Sequence, residues 1–166
     1  MRESVQQAIN EAILNAPAMY SRLILLVGPS GSGKTRVLQE IAAEYGKKIL
    51  NVNLVMSKAL LELPIQRRES RAQRIFGGII EDFLSDEDSK TELILLDNLE
   101  ILFDKDLHQD PLLLLQGISR NITIIASWNG TWAHQRLTFA ISGHPEYKFY
   151  DKIDAQIIQF TRESEI

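Results

Sequence analysis

Uninterrupted apolar segments alternate along this chain with segments whose apolar residues recur every three or four positions. The uninterrupted segments occupy residues 23–27, 93–96 and 122–126. Such segments are typical of strands that are buried on both faces of a parallel sheet. Segments with helical spacing occupy residues 34–45, 65–84 and 111–119. Strands that alternate with helices predict an α/β fold, in which helices cover both faces of an open, mostly parallel sheet.

Shorter segments complete the predicted order of elements. Residues 1–17 fit a short amphipathic helix that Pro17 ends. Residues 49–53 fit a short strand, and residues 57–63 fit a helix that stops before a proline. The strand 49–53 and the helix 57–63 thus lie between the helix 34–45 and the long helix 65–84.

Glycine and proline leave some boundaries open. The pair Gly77-Gly78 lies inside the helix 65–84 and costs ~1 kcal/mol per glycine relative to alanine, so a break there is one alternative. Asp110-Pro111 is typical of an N-cap followed by proline at the first helical position. Near the end of the chain, residues 137–141 fit an edge strand, while residues 155–161 fit a helix or a strand equally well.

The composition is that of an ordinary globular protein. Of the 166 residues, 45% are hydrophobic and 24% are charged, which excludes disorder as the dominant state and predicts one domain over residues 1–166. The net charge of −4 disfavours an overall basic nucleic-acid binder. The chain lacks cysteine, so disulfides, thiolate metal sites and cysteine nucleophiles are excluded. No apolar run approaches the ~18 residues of a membrane span, and we expect a soluble, cytoplasmic protein without membrane contact.

A phosphate-binding motif follows the first predicted strand directly. Its eight residues are Gly28, Pro29, Ser30, Gly31, Ser32, Gly33, Lys34 and Thr35, a full match to G-x-x-x-x-G-K-[ST]. Glycines let the backbone curl until its N–H groups face phosphate oxygens, and the next helix points its positive end at the same phosphates. In this pattern Lys34 reaches the β- and γ-phosphates, and the Thr35 hydroxyl binds Mg²⁺. A flexible Gly/Ser turn is the alternative, but the flanking strand and helix favour nucleotide binding.

Asp97 ends the apolar run 93–96. An acid at the carboxyl end of a buried strand is well placed to hold the Mg²⁺ shell, so Thr35 and Asp97 are the candidate metal ligands. An aspartate that caps a helix or a turn is the alternative.

The residue after Asp97 is unusual for a hydrolytic ATPase. Many such enzymes carry a glutamate there to orient the attacking water, whereas this chain has Asn98, with Glu100 as the next acid. Asparagine can orient a water but cannot accept its proton. Three alternatives are open: Glu100 serves as the base, a partner supplies the base, or hydrolysis is slow.

Ser127 and Asn129 follow the predicted strand 122–126. Carboxyl ends of parallel strands meet at one edge of the sheet, where a polar side chain can sense a γ-phosphate or position a water. An Asn129-Gly130 turn explains the same residues equally well. Trp128 between them is predicted to pack rather than to contact a ligand.

Four arginines fall near one face of the helix 65–84: Arg67, Arg68, Arg71 and Arg74. This face suits DNA, an acidic partner or the nucleotide of a neighbouring subunit, and a solvated helix face is the alternative. Arg136 is a second candidate for an arginine that reaches a neighbouring nucleotide. Residues 81–106 are rich in acids. A basic face and an acidic region on one chain suit head-to-tail association of copies, but they suit plain solubility equally.

The motif, Asp97 and the strand ending at Ser127 together resemble the AAA-like branch of P-loop ATPases. More narrowly, the chain resembles the BrxF family, the small P-loop proteins of type 3 bacteriophage-exclusion (BREX) systems. The stretches that carry this resemblance are ILNVNL (49–54), LLDNLEILFD (95–104), DPLLLLQGISRN (110–121), SWNGT (127–131) and GHPEY (143–147). The resemblance implies a three-layer P-loop NTPase core, ATP and Mg²⁺ as cofactors, and a role in antiphage defence with other BREX proteins.

The AAA-like resemblance also raises an expectation about the end of the chain. Such ATPases usually carry a helical lid after the core, and the lid supplies a sensor arginine. Only residues 130–166 remain here, so we expect a C-terminal extension without a helical lid. Assembly with a BREX partner or as a homo-oligomer is then expected to complete the site.

Three functions remain open at this point. The leading one is an ATP-binding switch or Mg-ATP-dependent ATPase, with ATP favoured over GTP because no Asn-Lys-x-Asp element is present. Chain length and motif are also typical of small-molecule kinases, in which the arginines at 67–74 would clamp phosphates. In the third function, nucleotide only stabilises a structural or DNA-contacting module.

Overall fold

The computed structural model describes residues 2–85, 93–140 and 147–161. Its α-helices are α1 (Arg2–Asn15), α2 (Lys34–Tyr45), α3 (Val52–Leu61), α4 (Ile65–Ser85) and α5 (Pro111–Ile118). Its strands are β1 (Leu23–Gly28), β2 (Ile49–Asn51), β3 (Leu93–Asp97), β4 (Thr123–Ala133), β5 (Arg136–Phe139), β6 (Lys148–Tyr150) and β7 (Gln156–Gln159). Short 3-10 helices occupy Ala16–Ala18, Glu100–Phe103 and Lys105–Leu107. None of the described helices is long and apolar enough to cross a membrane.

The seven strands form one sheet, and its central part is parallel. The order is β2-β3-β4-β1-β7, and each adjacent pair in this order is parallel. Beyond the parallel part, β4 continues into an antiparallel ladder with β5, which pairs with β6. Because β1 and β3 both flank β4, the polar residues at the ends of β1 and β3 meet those at the end of the parallel part of β4, which reaches Asn129. The predicted α/β fold is confirmed.

The sheet separates two hydrophobic cores, which makes the fold three-layered. Leu23, Leu25 and Val27 of β1 face the core formed with α3, α4 and α5. Ile24 and Leu26 face the opposite core, which is formed with α1 and α2. All five side chains are fully buried. A strand that lies between two helical layers therefore needs an apolar residue at every position.

Two predicted boundaries near β2 are wrong. The strand ends at Asn51 rather than at residue 53, and α3 begins at Val52 rather than at residue 57. The Asn51 side chain caps α3 by accepting a hydrogen bond from the backbone N–H of Leu54, 3.1 Å away. Asparagine is a strong N-cap residue, and it starts the helix as soon as the strand ends.

The long helix α4 runs without a break through Gly77-Gly78. Its buried face carries Ala72, Phe76 and Ile80, which pack into the core shared with α3 and α5. This packing holds the glycines in the helix, so the break considered from the sequence does not occur. The predicted N-cap of α5 is confirmed, since Asp110 accepts a hydrogen bond from the backbone N–H of Leu113.

The expectation that the fourth strand ends at residue 126 is wrong. That strand runs on to Ala133, and the Asn129-Gly130 pair lies inside it rather than in a turn. The turn is formed instead by His134-Gln135, whose φ angles of 52° and 60° are typical of a two-residue hairpin. The predicted strand 137–141 is β5, but it is not an edge strand, because it pairs with β4 on one side and with β6 on the other. Its last predicted residue, Ile141, lies outside the described residues. The segment 155–161, which the sequence left undecided, contains the strand β7.

An aromatic cluster fastens this hairpin to the body of the protein. Trp128 is buried and meets Phe103 and Phe139 edge-to-face, with ring centroids 5.1 Å and 6.0 Å apart. Its indole Nε1–H donates to the carbonyl oxygen of Thr138 over 2.9 Å. Trp128 therefore packs, as predicted. In the described part of the chain beyond Ala133, three strands follow and no helix.

We expect Gly130→Ala to destabilise the protein strongly. A Cβ at residue 130 would lie 1.7 Å from the carbonyl oxygen of Thr138, so the β4–β5 ladder must open. The expected loss in the free energy of unfolding is about 3 kcal/mol, measured by denaturant titration. The matched control is Gly117→Ala in α5, where a Cβ meets open space. That change should stabilise by up to ~1 kcal/mol, and equal effects of the two substitutions would contradict the prediction.

Candidate nucleotide-binding site

The phosphate-binding motif curls between the end of β1 and the first turn of α2. Gly31 and Gly33 adopt left-handed φ angles of 80° and 96°, a conformation that residues with side chains rarely take. The backbone N–H of Ser32 donates to the carbonyl oxygen of Pro29 and closes the curl. Gly33 is the N-cap of α2 and offers no side-chain acceptor, so the first N–H groups of the helix are left for an anion.

Lys34 is the buried cation of this loop, with only 5% of its surface exposed. Its Nζ donates to the carbonyl oxygens of Gly28 (2.7 Å) and Pro29 (2.6 Å) and to the hydroxyl of Ser32 (3.2 Å). Burial lowers the pKa of Lys34 from 10.5 to about 8, although the charges of nearby carboxylates oppose that shift. The nearby carboxylates offset only part of the cost of burying this charge. A phosphate anion beside Lys34 would therefore stabilise the charged ammonium strongly.

Asp97 joins three elements at the carboxyl edge of the sheet. One oxygen accepts a hydrogen bond from the Thr35 hydroxyl at the start of α2, over 2.9 Å. The other accepts from the Ser127 hydroxyl of β4 (2.5 Å) and from the backbone N–H of Asn98 (3.0 Å). Hydroxyl and carboxylate oxygens are the ligands that Mg²⁺ prefers. The contact between Thr35 and Asp97 thus fits a magnesium ion beside the phosphates.

Glu100 reaches the same place although it stands three residues beyond Asp97. Asn98 takes a left-handed φ of 57°, which asparagine tolerates better than most residues, and it turns the chain into the 3-10 helix Glu100–Phe103. The two carboxylate oxygens of Glu100 then accept hydrogen bonds from the amides of Asn129 (2.6 Å) and Asn53 (3.0 Å). The turn at Asn98 therefore brings Glu100 to the cavity, although many hydrolytic ATPases carry their glutamate directly after the aspartate.

The sequence analysis did not identify Asn53, the second residue of α3. Besides holding Glu100, its side chain accepts a hydrogen bond from the backbone N–H of Ile101 (2.7 Å), and its own N–H donates to the carbonyl oxygen of Asn98 (2.8 Å). Asn53 thereby ties the start of α3 to the turn that follows β3. The signal was present in the sequence, because polar residues follow the short strand β2 as they follow β3 and β4.

The loop and the polar residues around Asp97 line one open cavity of about 390 Å³, to which Asn53 does not itself contribute. Ten of the predicted residues take part in it: Ser30, Gly31, Gly33, Lys34, Thr35, Asp97, Asn98, Glu100, Ser127 and Asn129. Gly28, Pro29 and Ser32 instead supply the oxygens that hold the Lys34 ammonium. The cavity also includes Arg36, which the sequence analysis did not single out.

The predicted arginine face lies elsewhere. Arg67, Arg71 and Arg74 are exposed on α4, and none of them lines the cavity. Arg68 is half-buried, and its Nε donates to the carbonyl oxygens of Leu60 and Leu63 at the junction of α3 and α4. Arg136 lies on β5 with its guanidinium 5.2 Å from the ring centre of Phe149. Each of these arginines is therefore outside the phosphate-binding cavity of its own chain.

Similarity to known proteins identifies the family of this chain. Residues 24–127 match the family described as ATPase family associated with various cellular activities (AAA). Among solved structures, the chain is similar to C. elegans PCH-2, with 21% sequence identity and a TM-score of 0.43. That similarity covers 95% of this chain but only 41% of the PCH-2 chain. No curated protein matches the chain. Since the family match spans well over half of the chain, from the strand before the motif to Ser127, this protein belongs to the AAA family of ATPases.

Proposed function

We propose that this protein binds Mg-ATP in the cavity and serves as an ATPase or nucleotide-dependent switch subunit of a BREX-type antiphage defence complex. The observation that carries the proposal is the contact of Thr35 with Asp97 beside the Lys34 loop. It supports the proposal because it brings the loop and two oxygen groups of the kind that Mg²⁺ prefers into one cavity. The family match supports the nucleotide, and the BrxF-like stretches of the sequence support the defence complex.

Each part of the cavity has a proposed task. The N–H groups of the motif and the positive end of α2 bind phosphate oxygens, and Lys34 supplies a full charge beside them. Thr35 and Asp97 hold Mg²⁺, which neutralises charge on the β- and γ-phosphates when bound. Ser127 fixes the orientation of the Asp97 carboxylate through its short hydrogen bond. Binding thus relies on residues that the fold has already brought into place.

The arrangement around Glu100 supports slow or partner-dependent hydrolysis. Both of its oxygens already accept amide hydrogen bonds, so an attacking water has only the remaining lone pairs to use. The neighbouring Asn98 cannot accept a proton. We propose Glu100 as the base and Asn129 as the residue that holds it, with a BREX partner or a second copy promoting the reaction.

Phosphate release and particle mass, measured together on the purified protein with Mg-ATP, test this function. We expect nucleotide binding, little free phosphate from the protein alone, and more phosphate when a partner or self-assembly forms a larger particle. In a parallel assay with added nucleosides and small acids, transfer of the γ-phosphoryl group of ATP to one of them without free phosphate would instead identify a small-molecule kinase. A folded protein that binds no nucleotide would refute the proposal.

We expect the affinity for nucleotide to fall as the pH rises above about 8. The pKa of Lys34 is lowered to about 8 by burial, so the ammonium is charged below that pH and increasingly neutral above it. A bound phosphate favours the charged form, and each pH unit above the pKa should weaken binding by up to about tenfold. Titration with a fluorescent ADP between pH 7.5 and 9.5 measures the slope. In Lys34→Arg the guanidinium stays charged, and the slope should disappear; a flat profile in the unmodified protein would contradict the prediction.

A further inference from the structure

Helices α4 and α5 leave an open, largely apolar groove between them. The lining of its first part, a cavity of about 410 Å³, includes Gly77 of α4 and Leu113, Leu114, Gly117 and Ile118 of α5. A second cavity of about 470 Å³ shares Gly77 and Ile118 and carries the groove on toward the C-terminal ends of both helices. This α4–α5 groove shares no residue with the nucleotide cavity.

Two glycines hold the α4–α5 groove open. A Cβ at Gly77 or at Gly117 would meet open space. Because alanine is more stable than glycine in a helix by ~1 kcal/mol, packing within the ranges 2–85, 93–140 and 147–161 does not account for either glycine. A side chain that approaches the groove from outside needs this room.

Leu113 is an apolar side chain that stands uncovered beside the groove, with 64% of its surface exposed. It lies four residues before Gly117, about one helical turn away and on the same face of α5. The outer face of α5 thus carries an apolar projection next to a hollow. A surface of this shape can pair with a copy of itself.

We propose that the α4–α5 groove binds a second copy of this chain, in a symmetric dimer whose two α5 helices run antiparallel. Leu113 and Gly117 stand two residues to either side of Leu115, and Asp110 and Arg120 stand five residues to either side of it. A two-fold axis at the level of Leu115 therefore sets Leu113 of each copy against Gly117 of the other. The same axis sets Asp110 of each copy against Arg120 of the other.

The charges on the outer face of α5 favour this arrangement. Asp110 is the N-cap of the helix, Arg120 lies just beyond its C-cap, and both are exposed. In the antiparallel pair, carboxylate and guanidinium meet at two symmetric places. The positive end of each helix also lies beside the negative end of the other. A parallel pair would instead bring like charges together, so the charges select the antiparallel orientation.

Sedimentation equilibrium of the protein between about 3 µM and about 300 µM tests the dimer. An interface built around one short helix is small, so we expect a dissociation constant on the order of 10–100 µM. Leu113→Ala removes two leucines from each dimer and should raise this constant by about 100-fold. The variant should then sediment as a monomer over most of the range.

Leu54→Ala is the matched control for Leu113→Ala. Leu54 lies on α3 with 66% of its surface exposed, and it does not line the α4–α5 groove. Its removal should change the dissociation constant of the dimer by less than about twofold. Since both leucines are exposed, both variants should stay folded, which circular dichroism checks.

The pairing of residue 110 with residue 120 predicts that one substitution has opposite effects in two backgrounds. Asp110→Asn keeps the helix cap, because asparagine is as good an N-cap residue as aspartate. In the unmodified protein it removes two attractions and should raise the dissociation constant by about threefold. In Arg120→Glu it removes two repulsions and should lower the constant of that variant by about threefold. Effects of the same sign in both backgrounds would overturn the antiparallel pairing.

The remaining outcomes also decide the proposal. A protein that stays monomeric over the whole range would overturn it, as would a dimer whose dissociation constant does not change in Leu113→Ala. A groove that serves a helix of another protein would give the first of these results. The affinity of Leu113→Ala for Mg-ATP should equal that of the unmodified protein, because Leu113 lies outside the nucleotide cavity. Failure of the dimer therefore leaves the proposed nucleotide function intact.

Discussion

Lys34→Ala is expected to lower the affinity for Mg-ATP and Mg-ADP by about 100-fold or more, while the protein stays folded. The ammonium is the only full positive charge inside the curl of the motif, and it is 95% buried among loop oxygens. Removing it leaves the phosphates with the backbone N–H groups and Mg²⁺ but without the ammonium. Equilibrium binding of a fluorescent nucleotide measures the loss.

A loss of affinity in Lys34→Ala can be assigned to the site because we expect this variant to stay folded. A lysine whose pKa is lowered on folding is held in its charged form at a cost, and that cost disappears as the pH rises from about 8 to 10.5. At neutral pH, alanine removes this cost together with three hydrogen bonds, so we expect the free energy of unfolding to change by less than ~1 kcal/mol. Lys58→Ala, at an exposed position on α3, is the control. Full nucleotide affinity in folded Lys34→Ala would exclude the proposed site.

Glu100→Gln is expected to slow phosphate release by about 100-fold with little change in nucleotide affinity. Glutamine keeps the size of the side chain and loses the capacity to take a proton from water. The rate is measured in the assembly that gives the highest phosphate release, under single-turnover conditions with excess protein. Affinity is measured in parallel, so that a binding defect is not mistaken for a catalytic one.

Asn98→Gly is the matched control for Glu100→Gln. Glycine accepts the left-handed φ of 57° at this position and removes only the side chain. If Glu100 is the base, Asn98→Gly should retain the rate within about threefold. If Asn98→Gly lowered the rate of phosphate release as much as Glu100→Gln does, Asn98 would be the residue that orients the attacking water. An unchanged rate of phosphate release in Glu100→Gln would contradict Glu100 as the base and would indicate that a partner supplies it.

Residue pattern alone predicted most of what positions the site. The apolar runs of β1, β3 and β4 predicted strands buried between two helical layers, because every residue of such a strand meets a core. The motif residues 28–35 predicted the loop, since Gly31 and Gly33 adopt positive φ angles that glycine takes most readily. For Ser127 and Asn129 the rule that carboxyl ends of parallel strands meet at one edge gave one of two equal alternatives, the other being an Asn-Gly turn.

Where the prediction from sequence was wrong or undecided, contacts between distant parts of the chain determined the structure. Asn129-Gly130 has the local preference of a turn, yet the pairing of Gly130 with Phe139 and the packing of Trp128 keep it in an extended strand. Similarly, the segment 155–161 had no decisive pattern of its own. It becomes a strand because β1 offers a free edge, where β7 pairs from Ile24 to Val27.

By itself, then, the amino-acid sequence determined the layered α/β core and the loop that can cradle a polyphosphate, because an uninterrupted apolar run and the conformational freedom of glycine are properties of short stretches of chain. Only the tertiary structure decided which acid reaches the cavity and what holds it there. Glu100 arrives through the backbone turn at Asn98, and its two amide partners come from α3 and β4, 47 and 29 residues away along the chain. Hydrogen bonds over such distances depend on how the sheet assembles, which no short stretch of the chain encodes.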